Sequence, residues 1–96
     1  MSIHIAPVVT GVSFTPSRDL DRQAGLLGWI SCDIDGFHFD GLTLGRSNHG
    51  RLHVAYPSRR SSGGHRYAVA RPNNTALAAA IEEQVFAALR SGGLLP

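Results

Sequence analysis

The chain has 96 residues, 43% of them hydrophobic and 17% charged, and its formal net charge is only +2. That length makes one domain, residues 1–96, and excludes a second core, while a chain so short is marginal alone and gains from self-association. No apolar run approaches the ~18 residues that span a bilayer, so no membrane insertion is expected.

Taken in chain order, residues 8–15 alternate well enough for a first strand, ended by Pro16. The opening Met1-Ser2-Ile3-His4-Ile5-Ala6-Pro7 lacks the basic start and long apolar core of a secretory leader, so none is expected. Residues 17–25 mix opposite charges and read as an exposed connection. Residues 26–34 form a second strand, with Ile30, Cys32 and Ile34 on one face and Leu27 and Trp29 on the other. Asp35-Gly36 is a strong two-residue hairpin signal, because a type I′ turn needs positive φ at both positions. Phe37 and Phe39 open a third strand, but Leu42 and Leu44 continue it one residue out of phase. An extra residue near Asp40-Gly41, a β-bulge, repairs the phase.

Leu52, Val54 and Tyr56 mark one face of a fourth strand that stops at Pro57, which cannot donate to a ladder. Residues 58–64 read as a Gly/Ser loop whose backbone is satisfied by water or a ligand. Residues 65–70 form a fifth strand. From Thr75 to about Ser91 the period changes from two to 3.6, and Leu77, Ala78, Ile81, Val85, Ala88 and Leu89 share a core-facing stripe. Asn74 is the N-cap, Arg90 suits the last turn, and Gly92 is placed for a left-handed cap. The core is expected over about residues 8–91, with a short flexible tail at 92–96.

All nine basic residues are arginine, and Arg59, Arg60, Arg66 and Arg71 fall in a thirteen-residue stretch with no acid. A guanidinium presents a planar fork of donors that engages phosphate bidentately. These four, with Ser58 beside them and Arg51 on the sheet or its rim, are the candidate phosphate contacts. The alternative is a set of solubilising arginines, some paired with Asp33, Asp35 or Asp40. Tyr67 is either a base-stacking platform or a half-buried strand tyrosine with a wet hydroxyl. Trp29 suits core or dimer packing.

The five histidines assemble no metal site: His49 and His53 straddle a turn, and His38 with Asp40 lacks a third ligand. Cys32, His38 and Asp40 make a nucleophilic site only on paper, since Cys32 reads as a buried small hydrophobe. Enzyme activity, a cofactor and a small-molecule substrate are therefore not expected. A lone cysteine forms no internal disulfide, which fits a reducing, cytoplasmic setting.

The run Leu52-His53-Val54-Ala55-Tyr56-Pro57-Ser58-Arg59-Arg60, then Ala70-Arg71-Pro72 and Asn74-Thr75, resembles the SpoVG family of bacterial septation and sporulation regulators. That family carries Leu-Phe-Val-Ala-Met-Pro-Ser-Lys-Arg, a short Gly-containing loop, then Ala-His-Pro and Asn ahead of its helix. Val9-Thr10-Gly11-Val12 looks like its opening strand, and the similarity runs from about Val9 to Leu89. The departures are Ser62-Gly63-Gly64-His65 in place of Pro-Asp-Gly and an aromatic, a longer first connection, an alanine-rich helix and no acidic tail. The resemblance implies a homodimer that binds DNA or RNA through its phosphate-facing loop.

The expectation is thus an α+β domain, a twisted antiparallel sheet of about five strands with one C-terminal helix packed on it. Its expected role is a non-enzymatic DNA- or RNA-binding regulator. The alternative is a protein-interaction module in cell division that does not touch nucleic acid.

Overall fold

Period-two patterning over the first half of the chain becomes an antiparallel meander in the computed structural model, which describes residues 6–95. Strands β1 (Val9–Pro16), β2 (Leu26–Ile34), β3 (Phe37–Arg46) and β4 (Leu52–Ala55) pair in chain order. The β2–β3 turn is the expected one: Asp35 and Gly36 have φ of 51° and 85°, and Ile34 faces Phe37 across it. Only a residue that tolerates left-handed backbone fits either position. The register then slips between Ile30 and Cys32, where Asp40 and Gly41 together oppose one residue of β2. This bulge keeps Phe39, Leu42 and Leu44 on one face.

That face holds the core. Ile30, Cys32, Ile34, Leu42, Leu44 and Val54 are buried against Ile81, Val85 and Leu89 of the C-terminal helix, α2 (Thr75–Ser91). The helix begins as its sequence signals, with the Asn74 side chain accepting from the Leu77 N–H at 2.8 Å. It ends at Ser91 as expected, but the left-handed residue comes one position later than expected. Gly92 keeps a φ of −83°, and Gly93 is the left-handed residue. Its N–H donates to Arg90 while that of Leu94 donates to Leu89, the paired bonds of a Schellman cap.

Gln84 ties the helix to the first strand. Its Oε1 accepts from the Val9 N–H at 2.9 Å and its Nε2 donates to the Pro7 carbonyl at 2.6 Å. One amide thereby satisfies a donor and an acceptor at the start of β1, where no further strand supplies them.

Four features differ from the sequence reading. The connection at 17–25 contains a one-turn helix, α1 (Asp19–Gln23), in which Arg22 bonds Asp19 and Arg18 lies 3.6 Å from Asp21. Leu27 packs toward the core rather than away from it, because the β2–β3 register also slips between Leu26 and Gly28. The segment after Pro57 is not an open loop: β5 (Ser58–Arg60) pairs antiparallel with β6 (Arg66–Ala68). Finally, β6 does not extend the main sheet, so the strands divide four and two rather than forming one sheet of five. Every residue of β5 and β6 is exposed. A ribbon with no apolar face to bury gains nothing by docking on the core.

The outer face of the main sheet carries no covering element among the described residues. Ser13 and Ser31 share a hydrogen bond there, and Trp29, 39% exposed, sits between Thr15 and Thr43. No helix among the described residues is long and apolar enough to cross a membrane.

Candidate nucleic-acid interface

Pairing with β3 ends at Ala55, two residues before Pro57, and the chain leaves the sheet as a two-stranded arm whose paired residues are all exposed. The radius of gyration, 14.3 Å, exceeds the ~13 Å of a typical 100-residue domain, as a projecting arm requires. Its tip is a three-residue turn. The Gly64 N–H donates to Ser61, the Ser61 N–H donates to His65, and Gly64 has φ of 84°. This is the type I turn closed by a left-handed residue that favours glycine.

Register decides which arginines share a face. Arg60 lies directly opposite Arg66, and Arg59 opposite Tyr67. Backbone bonds join Ser61 to His65 and Val69 to Pro57, so by alternation Arg60 and Arg66 occupy a non-hydrogen-bonded pair. In such a pair the α-carbons approach to ~4.5 Å and the side chains lie closest. Two like charges so placed destabilise a ribbon by themselves. An anion between them removes that cost. Arg66 Nη1 also donates to Ser58 Oγ at 3.1 Å, which brings Ser58 onto the same face.

Arg59 and Tyr67 occupy the opposite face of the arm, with the ring of Tyr67 51% exposed. Arg71 lies beyond the arm, exposed, in the segment leading to α2. Arg51 is elsewhere: it borders a groove on the outer side of α2, near Glu82 and Glu83. The structure therefore gathers Ser58, Arg59, Arg60, Arg66 and Tyr67 on one arm, sets Arg71 near its root, and leaves Arg51 apart.

Acids do not neutralise these arginines. Among the described residues, the ion pairs are Arg18–Asp21, Arg22–Asp19, His38–Asp33 and His38–Asp40, none of which involves the arm, Arg51 or Arg71. Asp35 instead accepts the Val8 N–H at 2.9 Å. No ion pair of these arginines with Asp33, Asp35 or Asp40 occurs among the described residues.

Asp33, His38 and Asp40 form their own group on the outer sheet face. His38 Nδ1 is 2.7 Å from Asp33 and Nε2 is 3.1 Å from Asp40. Hydrogen bonds to Asp33 and then Asp40 hold the imidazole pKa above its ordinary value. This group places two carboxylates on the outer face, away from the arginines of the arm. Cys32 lies on the other side of the sheet from His38, buried, and desolvation followed by the Asp33 charge pushes its thiol up. The paper triad of Cys32, His38 and Asp40 is not assembled. No three or more His, Cys, Asp or Glu side chains are placed to hold a metal ion together among the described residues.

Tyr56 was read only as part of a strand face. Its hydroxyl is buried with no hydrogen-bond partner among the described residues. Burial, then the Glu82 charge and Cys32, push its pKa up to about 12. A buried hydroxyl left unpaired costs ~1–3 kcal/mol. Tyr56→Phe is therefore expected to raise stability by about 1 kcal/mol, measured by urea unfolding; a loss of that size would show that the hydroxyl is bonded in solution.

No family model matches the chain, and no curated protein matches it either.

Proposed function

We propose that this chain is a non-enzymatic, SpoVG-like regulator that binds DNA or RNA by its phosphates, through the arginine arm. One observation supports this above the others: Arg60 and Arg66 are held face to face, exposed, with no acid to balance them. Ser58 adds a hydroxyl donor on that face, Arg59 and Tyr67 serve the other, and Arg71 continues the cationic track toward the body. Contacts of this kind position a protein on a strand and carry no base information, so sequence preference is weak. The regulator acts in the cytoplasm and needs no cofactor.

A salt titration against random duplex and single-stranded oligonucleotides, in matched DNA and RNA forms, tests the proposal. Affinity is expected to fall steeply as salt rises. Negligible affinity at every salt concentration would favour the other reading, a cell-division interaction module that does not bind nucleic acid.

A homodimer is part of the same proposal. A 96-residue domain is marginal alone, and no element among the described residues covers the outer sheet face, where Trp29 is partly exposed. The expected light-scattering mass at micromolar concentration is roughly 20 kDa, twice the 10.3 kDa chain. A mass that stays at the monomer value across that range would remove the dimer.

A further inference from the structure

Between the β2–β3 turn, the end of β4 and the start of α2 lies a cavity of about 250 Å³. Phe37, Phe39, Tyr56, Leu77, Pro72 and Arg71 are among its walls. We infer that this cavity receives one unpaired nucleobase from a single strand whose phosphates lie on the arm. The inference rests on the proposed nucleic-acid binding and adds to it a site that reads a base rather than a phosphate.

The first ground is Phe37. It is 71% exposed at the turn and yet lines the cavity, so a flat, apolar ring is presented to solvent at its edge. Every base has a π-face, and stacking on such a ring tolerates any sequence. The second ground is size. Pockets for drug-sized ligands run ~300–1,000 Å³, so this smaller one suits a single ring system and excludes a whole nucleotide.

The third ground is charge. Arg71 is exposed and lines the cavity, so its guanidinium is placed to hold the phosphate of the nucleotide whose base enters. Asp35 also lines the cavity and uses one carboxylate oxygen on the Val8 N–H. Its negative charge keeps phosphate out of the interior and on Arg71. The fourth ground is continuity. Ala70, another wall, is two residues past the end of β6. Arg71 lies five positions after Arg66, at most ~18 Å of extended chain, so one short strand reaches both. A duplex keeps its bases paired and leaves the cavity unused.

The test compares labelled single-stranded oligodeoxynucleotides with strands of equal length and charge made of abasic sugar-phosphate, by fluorescence anisotropy at low salt. Loss of one stacked base is expected to weaken binding roughly 5- to 150-fold. Phe37→Ala is expected to erase that difference while leaving the salt slope unchanged, and Phe37→Trp to restore it. Phe37 is exposed at a turn, so both variants are expected to melt like the wild type. A matched ribonucleotide strand decides whether the cavity serves RNA, DNA or both. Intact and abasic strands that bind equally, each with a steep salt dependence, overturn the base site and leave the phosphate-binding arm standing. Absence of salt-dependent binding to either strand overturns the arm, and the base site with it.

Discussion

Arg59→Ala/Arg60→Ala is expected to cut nucleic-acid affinity strongly at low salt while melting at the wild-type temperature. Each arginine that neutralises a phosphate releases condensed counterions, so losing two lowers the log–log salt slope by ~1.8 on duplex DNA or ~1.4 on a single strand. The loss is expected to be about equal for unrelated sequences, because phosphate contacts do not read bases. Stability is expected to hold because every residue of β5 and β6 is exposed. Isothermal binding curves at four or five salt concentrations check it. A double variant that keeps both its affinity and its slope would move the interface off the arm.

The two arginines sit on opposite faces of the ribbon, which sharpens the expectation. A strand lying on one face touches Arg60 and Arg66, whereas a strand wrapping the arm touches Arg59 as well. Arg60→Ala alone is therefore expected to lower the slope by close to the single-phosphate value of ~0.9 on duplex. It also removes the like-charge opposition to Arg66, so the arm itself is not weakened by the change.

The features that were legible in the sequence are those set by neighbours along the chain. Asp35-Gly36 declares its turn through two positive φ values, Asn74 caps the residue three positions ahead, and the phase break at Asp40-Gly41 shows as a bulge. The helix stripe was readable because its 3.6 period recurs along the helix, although Ala88, expected on it, is exposed. What escaped depends on distant partners. Gln84 bonds Val9 and Pro7 across more than seventy residues, and no local pattern marks it. The slip that turns Leu27 inward belongs to the pairing of β2 with β3.

The arm was partly legible. Its arginines stood out by their freedom from acids, and Pro57 marked its root. Its pairing did not stand out, because Ser58-Arg59-Arg60 has no apolar alternation and Ser62-Gly63-Gly64 reads equally well as open loop. Opposition of Arg60 to Arg66 follows only once the register is known. Arg51 seemed close to the cluster by number, yet it comes to lie beside α2. The cavity was not legible at all, since its walls come from positions 34, 35, 37, 39, 56, 70–72, 77 and 81.

Ile81→Ala is expected to be the most damaging single truncation in the helix. Ile81 is 4% exposed, is the first of the three buried residues of α2, and also borders the cavity behind Arg71. Removing a buried isoleucine to alanine costs ~2–5 kcal/mol, in proportion to the void that the surroundings fail to fill. Ile81 lies within the cluster formed with Val85 and Leu89, so a loss within that range is expected. A domain of this length has only ~5–14 kcal/mol of stability in total. The melting midpoint is then expected to fall by roughly 8–40 °C. Glu83→Ala supplies the control: Glu83 is exposed, makes no ion pair among the described residues, and its loss is expected to change stability by less than about 0.5 kcal/mol. Equal melting shifts for the two variants would mean that α2 presents a different face to the sheet. A large shift for Ile81→Ala alone places the 3.6-residue stripe where the core requires it, and with it the wall of the cavity next to the arm.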